Sequence, residues 1–326
     1  MKKIKATAFL SALMLMVCGT SCASSKTSEP KAKMSVICKS TDPYWDSVKK
    51  AVQDASEEMN LSVSYEAPER EDYSAQINMI NQAVASGTQA IIIAPVVESE
   101  LNDALLNAVQ KGIPVITIDS DVSLPERTCF IGTLNESAAS AAGRYVLEMA
   151  DDDAVIAVIT HDTISQTAAQ RTNGFLNVFS RDDVPQTISI LDPLNCEGDI
   201  QKTEDNVTAL LKEHPEIDII YATNQPTTVG VCQAVNGLVS SGDIQPEQVR
   251  VVGFDYFDGA ETYLENGVLS AVVVQNPYNM GYFGVRFAWN ILNGESVEPI
   301  MDTGTSLVTT ENLNNQDIQF LLHPAS

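Results

Sequence analysis

Pro114-Val-Ile-Thr-Ile-Asp119 and Val249-Arg-Val-Val-Gly-Phe-Asp255 are the stretches that decide the fold. Each is rich in β-branched residues and ends in a carboxylate, as expected for a buried parallel strand followed by a polar residue. Asn224 and Gln275 follow or close similar apolar runs. Because the carboxyl ends of parallel strands rim the crevice where α/β proteins bind ligands, these side chains are expected to line a site. Carboxylates and uncharged hydrogen-bonding groups suit a small polyhydroxylated molecule better than a nucleotide.

From residue 34 onward, apolar strand patterns alternate with helical patterns, which indicates parallel βαβ units. One series of strands precedes residue 133 and a second series follows it. Two such series exceed one sheet of ordinary size, so two α/β lobes are expected. The predicted strands lie near residues 34–39, 61–65, 90–94, 114–119, 128–132, 154–160, 187–192, 217–223, 249–255 and 269–275, with helices such as 44–60, 76–86 and 278–292 between or after them.

The beginning of the chain predicts export and lipidation. Its basic start and the apolar stretch 6–17, too short to span a bilayer, indicate that residues 1–21 are a lipoprotein signal peptide. Cys22 follows three small residues that resemble a bacterial lipobox, so we expect a diacylglyceryl group on Cys22. Residues 22–33 would then be a flexible tether. An ordinary cleaved signal with an incidental cysteine stays an alternative, because Gly19 stands where Leu is usual.

Charge and cysteine content exclude several classes of function. The chain carries 43 acidic against 19 basic side chains, a formal net charge of −24 at pH 7. Nucleic acid is therefore not an expected partner, and the membrane is expected to contact the protein through the lipid anchor only. Beyond the predicted anchor, the cysteines form no C-x-x-C pair and have no histidine cluster nearby, so neither a metal site nor a disulfide framework is predicted. These cysteines are Cys38, Cys129, Cys196 and Cys232.

Catalysis is not predicted. The histidines, His161, His214 and His323, stand in no Ser/His/Asp or metal-ligand spacing. The chain has no Walker loop and no G-x-G-x-x-G after a strand, so no nucleotide cofactor is expected. Asp119 and Asp121 could serve glycoside hydrolysis as a carboxylate pair, but adjacent positions at a strand end do not fix the separation that this reaction needs.

Several motifs, in order along the chain, resemble those of the type I periplasmic sugar-binding proteins. These are ribose-binding-like receptors of ABC transporters, and their superfamily includes the ligand domains of LacI-type repressors. The motifs are the turn Asp42-Pro-Tyr-Trp45, Asp119 after Ile-Thr-Ile, Arg171 three residues before Gly174-Phe175, Asn224, Gly253-Phe-Asp255 and Gln275. The likeness extends over nearly all of residues 34–310. A signal peptide replaces the DNA-binding helix-turn-helix of a repressor, which favours an exported receptor.

The resemblance implies two Rossmann-like, doubly wound lobes joined by three hinge crossings, near 132–135, 275–278 and 303–307. The N-terminal lobe would comprise residues 34–133 and 277–304, and the C-terminal lobe residues 134–276 and 305–326. It also implies a monomer without cofactor that binds a small neutral sugar-like ligand between its lobes and delivers it to an ABC permease. The alternative is a receptor that presents a sugar or autoinducer-2-like ligand to a chemoreceptor or histidine kinase.

The ligand-binding residues implied by the resemblance combine acceptors, donors and aromatic faces for a sugar ring. They are Asp42, Tyr44, Trp45, Asp119, Arg171, Asn224, Asp255 and Gln275. Further candidates are Lys39, Asp121 and Gln166. The run Asp119-Ser-Asp-Val122 and the position of Lys39 resemble the autoinducer-2 receptor branch. The aromatic residue that the family often places on the second lobe falls at Gly198.

Structural roles, in helix capping, core packing or ion pairing, are alternatives for several of the same residues. A strand-end aspartate or asparagine is often the N-cap of the following helix, and Asp42 before Pro43 is equally suited to capping. Trp45 lies on the apolar face of its predicted helix, where it would belong to the core. Arg171 has surface carboxylates, at Asp182 or Asp183, as alternative partners.

Overall fold

The computed structural model describes residues 31–323. The predicted signal peptide (1–21), Cys22 and nearly all of the predicted tether lie outside the described residues. Within residues 31–323, no helix combines the length and apolar character required to cross a bilayer.

The first part of the described chain forms the elements of one lobe. Strands and helices alternate, as the parallel βαβ pattern requires. The elements are β1 (Lys33–Ile37), α1 (Tyr44–Met59), β2 (Ser62–Glu66), α2 (Tyr73–Ala85), β3 (Ala90–Ile93), α3 (Asn102–Gln110), β4 (Val115–Ile118) and β5 (Cys129–Gly132).

The elements that follow form the second lobe, and the last two strands among them add to the sheets of the first and the second lobe, respectively. They are α4 (Asn135–Met149), β6 (Val155–Thr160), α5 (Gln166–Phe179), β7 (Ser189–Ile190), β8 (Leu194–Asn195), α6 (Ile200–Glu213), β9 (Ile217–Ala222), α7 (Gln225–Ser241), β10 (Arg250–Phe254), α8 (Ala260–Glu265), β11 (Leu269–Gln275), α9 (Pro277–Leu292), β12 (Ile300–Asp302), β13 (Thr305–Val308) and α10 (Gln316–Leu322).

Two sheets organise these elements. The first has the strand order β12-β5-β4-β3-β1-β2, and the second has the order β13-β11-β10-β9-β6-β7, with β8 also beside β6. All neighbouring strands are parallel except β11 and β13. The predicted α/β fold of two doubly wound lobes is therefore confirmed. The chain passes between the sheets after Gly132, after Gln275 and after Asp302.

Each sheet buries both of its faces. In the first sheet, Ile92 and Ile116 pack under α1 and α9, whereas Ile91 and Ile93 pack on the other side with α2 and α3. Successive side chains of a strand point to opposite faces, so a strand covered on both sides must be apolar throughout. Burying each such side chain contributes roughly 1.5–3 kcal/mol. The strands are thus held rigidly, and their carboxyl ends form a fixed frame for the polar residues that follow them.

Candidate functional site

Asp119 and Asp255 occupy equivalent places in the two lobes, directly after β4 and β10. Both have a left-handed backbone, with φ of 64° and 67°, a conformation that aspartate tolerates better than most non-glycine residues. The backbone N–H of Asp119 donates to the carbonyl of Ile131, and that of Asp255 donates to the carbonyl of Val273. Each aspartate is therefore fixed to the neighbouring strand of its own sheet, at the carboxyl edge where ligands bind.

The carboxylate of Asp119 is held by residues of the first lobe. Lys39 Nζ lies 2.7 Å from Asp119 Oδ2 and 2.6 Å from Ser120 Oγ, and the Tyr44 hydroxyl donates to Asp119 Oδ1 at 2.9 Å. Burial by itself raises the pKa of Asp119, but the charge of Lys39 and the hydrogen bonds from Lys39 and Tyr44 outweigh it, so the pKa lies below its ordinary value. Asp119 is consequently ionised at neutral pH.

Asp255 belongs to a second polar cluster, centred on Arg171 of α5. Arg171 Nη1 donates to Asp255 Oδ2 at 3.2 Å and to the Thr223 carbonyl at 3.0 Å, while its Nε donates to Asn135 Oδ1 at 2.8 Å. Gln275 Nε2 donates to Asp255 Oδ1 at 2.6 Å. Three of the residues predicted from the sequence, Arg171, Asp255 and Gln275, are thus in direct contact.

Close packing of two helices positions the guanidinium of Arg171. A Cβ atom on Gly174 would lie 2.4 Å from the carbonyl oxygen of Glu136, so only glycine allows α5 to approach α4 this closely. That approach brings Arg171 to Asn135 at the start of α4. The guanidinium also lies over the ring of Phe254, 3.7 Å from its centroid, where the ring face attracts a cation.

The two clusters lie near each other, one on each lobe. Burial and the charge of Asp119 raise the pKa of the Tyr44 hydroxyl; Asp255 of the opposite lobe raises it further and Arg171 opposes this. Arg171 also lowers the pKa of Asp119 across the same gap. Because such interactions weaken with distance, the charged groups of the two lobes must lie near one another. Tyr44 remains protonated and can donate a hydrogen bond.

Comparison with known proteins agrees with this architecture. A family model described as a periplasmic binding protein domain matches residues 34–296. The chain belongs to the periplasmic binding protein family. Its predicted resemblance to the type I sugar-binding members is confirmed. The D-ribose/D-allose-binding protein of Pseudomonas aeruginosa is 26% identical over 332 residues, which cover 95% of this chain and 99% of that protein.

Solved structures of the family superpose on nearly the whole described chain. A carbohydrate transporter solute-binding protein from Agrobacterium radiobacter, in complex with D-arabinose, has a TM-score of 0.78 and 26% identity over 90% of this chain and 99% of that chain. AraP, an arabinose-binding protein from Geobacillus stearothermophilus, has a TM-score of 0.78 and 25% identity over 87% of this chain and 99% of that chain.

In this periplasmic binding protein, the residues of the predicted turn Asp42-Pro-Tyr-Trp45, at the start of α1, lie in different environments. Asp42 is exposed and accepts a hydrogen bond from Ser40, and α1 begins without a side-chain cap, so the interpretation of Asp42 as the helix cap is wrong. Trp45 is 5% exposed and belongs to the first-lobe core, as its core interpretation predicted. Of the aromatic pair, Tyr44 donates a hydrogen bond to Asp119, whereas the ring of Trp45 lies beneath Lys39 Nζ, 5.9 Å from its centroid.

Helix capping accounts for one of the strand-end residues. Asn224 Oδ1 accepts from the backbone N–H of Thr227 at 3.1 Å and from its hydroxyl at 2.8 Å, so Asn224 caps α7 as the alternative interpretation proposed. Its amide nitrogen faces Gly198, where an added Cβ would lie 3.8 Å away. Asp119 and Asp255 cap no helix. The alternative pairing of Arg171 with Asp182 or Asp183 is wrong, because Arg171 pairs with Asp255 and Asp183 pairs with Arg181 at 2.6 Å.

The remaining candidates lie beside the cluster of Asp119 or at the start of α5. Asp121 is engaged within its own lobe, 2.6 Å from Arg127 Nη2 and 2.7 Å from the hydroxyl of Thr117. Gln166 is exposed at the first position of α5. Contact of either residue with a ligand stays a prediction.

Sequence reasoning missed the residues that hold the charged groups. Asn135, Ser120 and the carbonyl of Thr223 complete the hydrogen bonding of Arg171 and Lys39. Their signal was position only, because each lies within a few residues of a predicted strand end or crossing. Within residues 31–323, no group of His, Cys, Asp and Glu could hold a metal ion, and the four cysteines are buried and unpaired.

Proposed function

We propose that this periplasmic binding protein is an extracytoplasmic receptor that binds one monosaccharide or small polyol between its lobes and delivers it to an ABC importer. The observation that supports the proposal is one partly buried polar cluster on each lobe, centred on Asp119 and Asp255, with the charged groups of the two clusters close enough to interact. A sugar presents hydroxyls around its whole ring, so groups on both sides can bind it. We also infer binding without catalysis, because the relatives compared above are binding proteins.

The second-lobe cluster retains hydrogen-bonding capacity for a ligand. Among the described residues, Arg171 Nη2 has no protein acceptor, since the partners of Arg171 are bound through Nε and Nη1. Each oxygen of Asp255 accepts one protein hydrogen bond, and a carboxylate oxygen can accept a second. Donors and acceptors therefore stand side by side, as sugar hydroxyls require.

Ligand binding is expected to favour closure of the lobes. Buried polar groups are unfavourable unless they are paired, so a closed and dry cleft is less stable than one filled by a ligand. Hinge closure is the known motion of periplasmic binding proteins, and membership of the family leads us to expect it in this protein. A monomer with three crossings would close on its ligand, and the permease would recognise the closed pair of lobe surfaces.

A thermal-shift panel tests the ligand class. A broad sugar and polyol panel is used, and it includes D-ribose, D-allose and D-arabinose because the names of relatives give these sugars as their ligands. A ligand at 100 times its Kd should stabilise the protein by about 2.7 kcal/mol. Asp255→Asn should remove the shift, whereas Asp258→Asn, an exposed aspartate of the same loop, should retain it. No shift across a broad sugar and polyol panel would refute the proposal.

The lipid anchor is a separate part of the proposal. Cys22→Ser should move the protein from the membrane fraction to the soluble fraction, because a lipid chain attached at Cys22 would be lost. Cys18→Ser is the matched control and should leave fractionation unchanged. Release by both variants, or by neither, would contradict lipidation at Cys22.

A further inference from the structure

His161 lies at the carboxyl edge of the second-lobe sheet and has no role in the clusters described above. It directly follows β6, and its side chain is 12% exposed. Burial and the charge of Arg171 lower its pKa to about 4, and Lys39 of the opposite lobe contributes to the decrease. The ring is thus neutral at physiological pH, and it lies near a charged group of each lobe, Arg171 on the second and Lys39 on the first.

Thr223 fixes the position of the hydrogen on this neutral ring. Thr223 Oγ1 accepts a hydrogen bond from the His161 backbone N–H at 3.1 Å and lies 2.8 Å from His161 Nδ1. Thr223 is fully buried, so its own hydroxyl hydrogen needs an acceptor. Nδ1 is that acceptor, and a neutral imidazole whose Nδ1 accepts carries its hydrogen on Nε2.

The Nε2–H group of His161 is left without a protein acceptor among the described residues. The nearest carboxylate oxygen, Asp162 Oδ2, is 3.8 Å away, beyond hydrogen-bond distance. The other oxygen, Asp162 Oδ1, accepts the backbone N–H groups of Ile164 and Ser165. Asp162 is therefore held by the start of the following loop and does not satisfy the imidazole.

Gly198 and Asn224 are neighbours of His161. A Cβ atom added to Gly198 would lie 3.8 Å from Asn224 Nδ2, 3.8 Å from the His161 carbonyl oxygen and 3.9 Å from His161 Cβ, which are ordinary van der Waals distances. The oxygen of Asn224 caps α7, and its amide nitrogen lies on the side of Gly198. Two donors, on His161 and Asn224, border a position that carries no side chain of its own.

We propose that His161 is a ligand-binding residue that donates its Nε2–H to an oxygen of the bound sugar beside Gly198. This assignment rests on the proposed function and adds a specificity determinant to it. His161, Asn224 and Arg171 Nη2 together give the second lobe a set of donors. The ligand accordingly places an acceptor oxygen, from a hydroxyl or the ring, on this side of the cleft.

Two substitutions separate ligand binding from a structural role. In His161→Gln the amide nitrogen takes the place of Nε2, whereas in His161→Asn the amide takes the place of Nδ1 and nothing replaces Nε2. With whichever of D-ribose, D-allose and D-arabinose the parent binds, His161→Asn should weaken binding about 3- to 10-fold, the value of one neutral hydrogen bond. His161→Gln should bind nearly as tightly as the parent. Isothermal titration calorimetry measures both.

The outcomes distinguish the two proposals. If His161 acts only by supporting Thr223, His161→Asn should bind more tightly than His161→Gln, because Asn keeps an acceptor for the Thr223 hydroxyl and Gln loses it. That result, or equal affinities of the two variants, overturns the assignment of His161 and leaves the proposed function intact. A parent that binds no sugar overturns the proposed function and this inference with it. His214→Gln, on an exposed histidine, is the control and should bind as the parent does.

Discussion

Arg171 and Asp255 form a buried ion pair whose strength can be measured by a double-mutant cycle. The Arg171 residue is 6% exposed and the Asp255 side chain 16%. Arg171→Met removes the cation and leaves Asp255 with Gln275 as its protein donor, while Asn135 Oδ1 and the Thr223 carbonyl lose theirs. Asp255→Asn removes the anion but keeps the shape of the side chain.

The expected magnitudes follow from what each change leaves buried. Arg171→Met should lower the free energy of unfolding by about 3–5 kcal/mol, because an unpaired carboxylate stays in the protein. Asp255→Asn should lower it by about 1–3 kcal/mol, since Arg171 keeps two other acceptors. In the double variant no unpaired charge remains, so its loss should be smaller than the sum of the single losses by about 1–3 kcal/mol.

Urea unfolding followed by circular dichroism and fluorescence provides the assay. Both tryptophans, Trp45 and Trp289, pack in the first lobe, so fluorescence reports that lobe and circular dichroism reports both. Coincident transitions are needed before free energies are compared. The exposed pair Arg181–Asp183 is the control, with an expected coupling below about 1 kcal/mol. A coupling between Arg171 and Asp255 no larger than that control would refute the reasoning.

Titration, close packing and thiol burial supply three further tests. With its pKa near 4 against an ordinary 6.5, His161 binds fewer protons folded than unfolded. Stability should therefore fall from pH 6.5 towards 4, by about 2–3 kcal/mol at pH 4.5, and His161→Gln should show a shallower decrease in urea unfolding. Gly253→Ala places a Cβ 2.2 Å from Thr228 Cγ2 and should cost about 1–3 kcal/mol in the same assay, with Thr228→Ser restoring part of the loss. Burial raises the pKa of Cys38 and Cys129 to about 12, so in a Cys22→Ser protein lacking the signal these thiols should react with a disulfide reagent only in urea; rapid native reaction would contradict their burial.

The buried strands were predictable because a strand covered on both faces consists mainly of apolar, β-branched residues. β4, β10 and β11 are predominantly apolar and rich in β-branched residues, and the structure places them within one or two residues of the prediction. β12 and β13 were missed because they are edge strands of three and four residues, nearly all of them partly or fully exposed, and so short a segment has no clear strand pattern. The strand predicted at 187–192 is only Ser189–Ile190, since few of its residues pair with β6.

The placement of polar residues at the strand ends was predictable from the sequence, but their hydrogen-bond partners were not. The strand-end rule identified Asp119, Asp255 and Gln275 from local patterns. The partners are distant in sequence: Lys39 lies 80 residues from Asp119, and Asn135 lies 36 residues from Arg171. Such pairs depend on how helices and turns pack around the sheets, and no local periodicity encodes that packing.

The pairing of charges within each lobe bears on the charge of the ligand. Lys39 is paired with Asp119 on the first lobe, and Arg171 is paired with Asp255 on the second. Both aspartates also share a left-handed backbone. A charged ligand would bring an uncompensated charge into a partly buried site, which is unfavourable. An anion would also approach a protein of net charge −24 against its field. A neutral molecule meets neither penalty and can use the donors and acceptors that remain on each lobe.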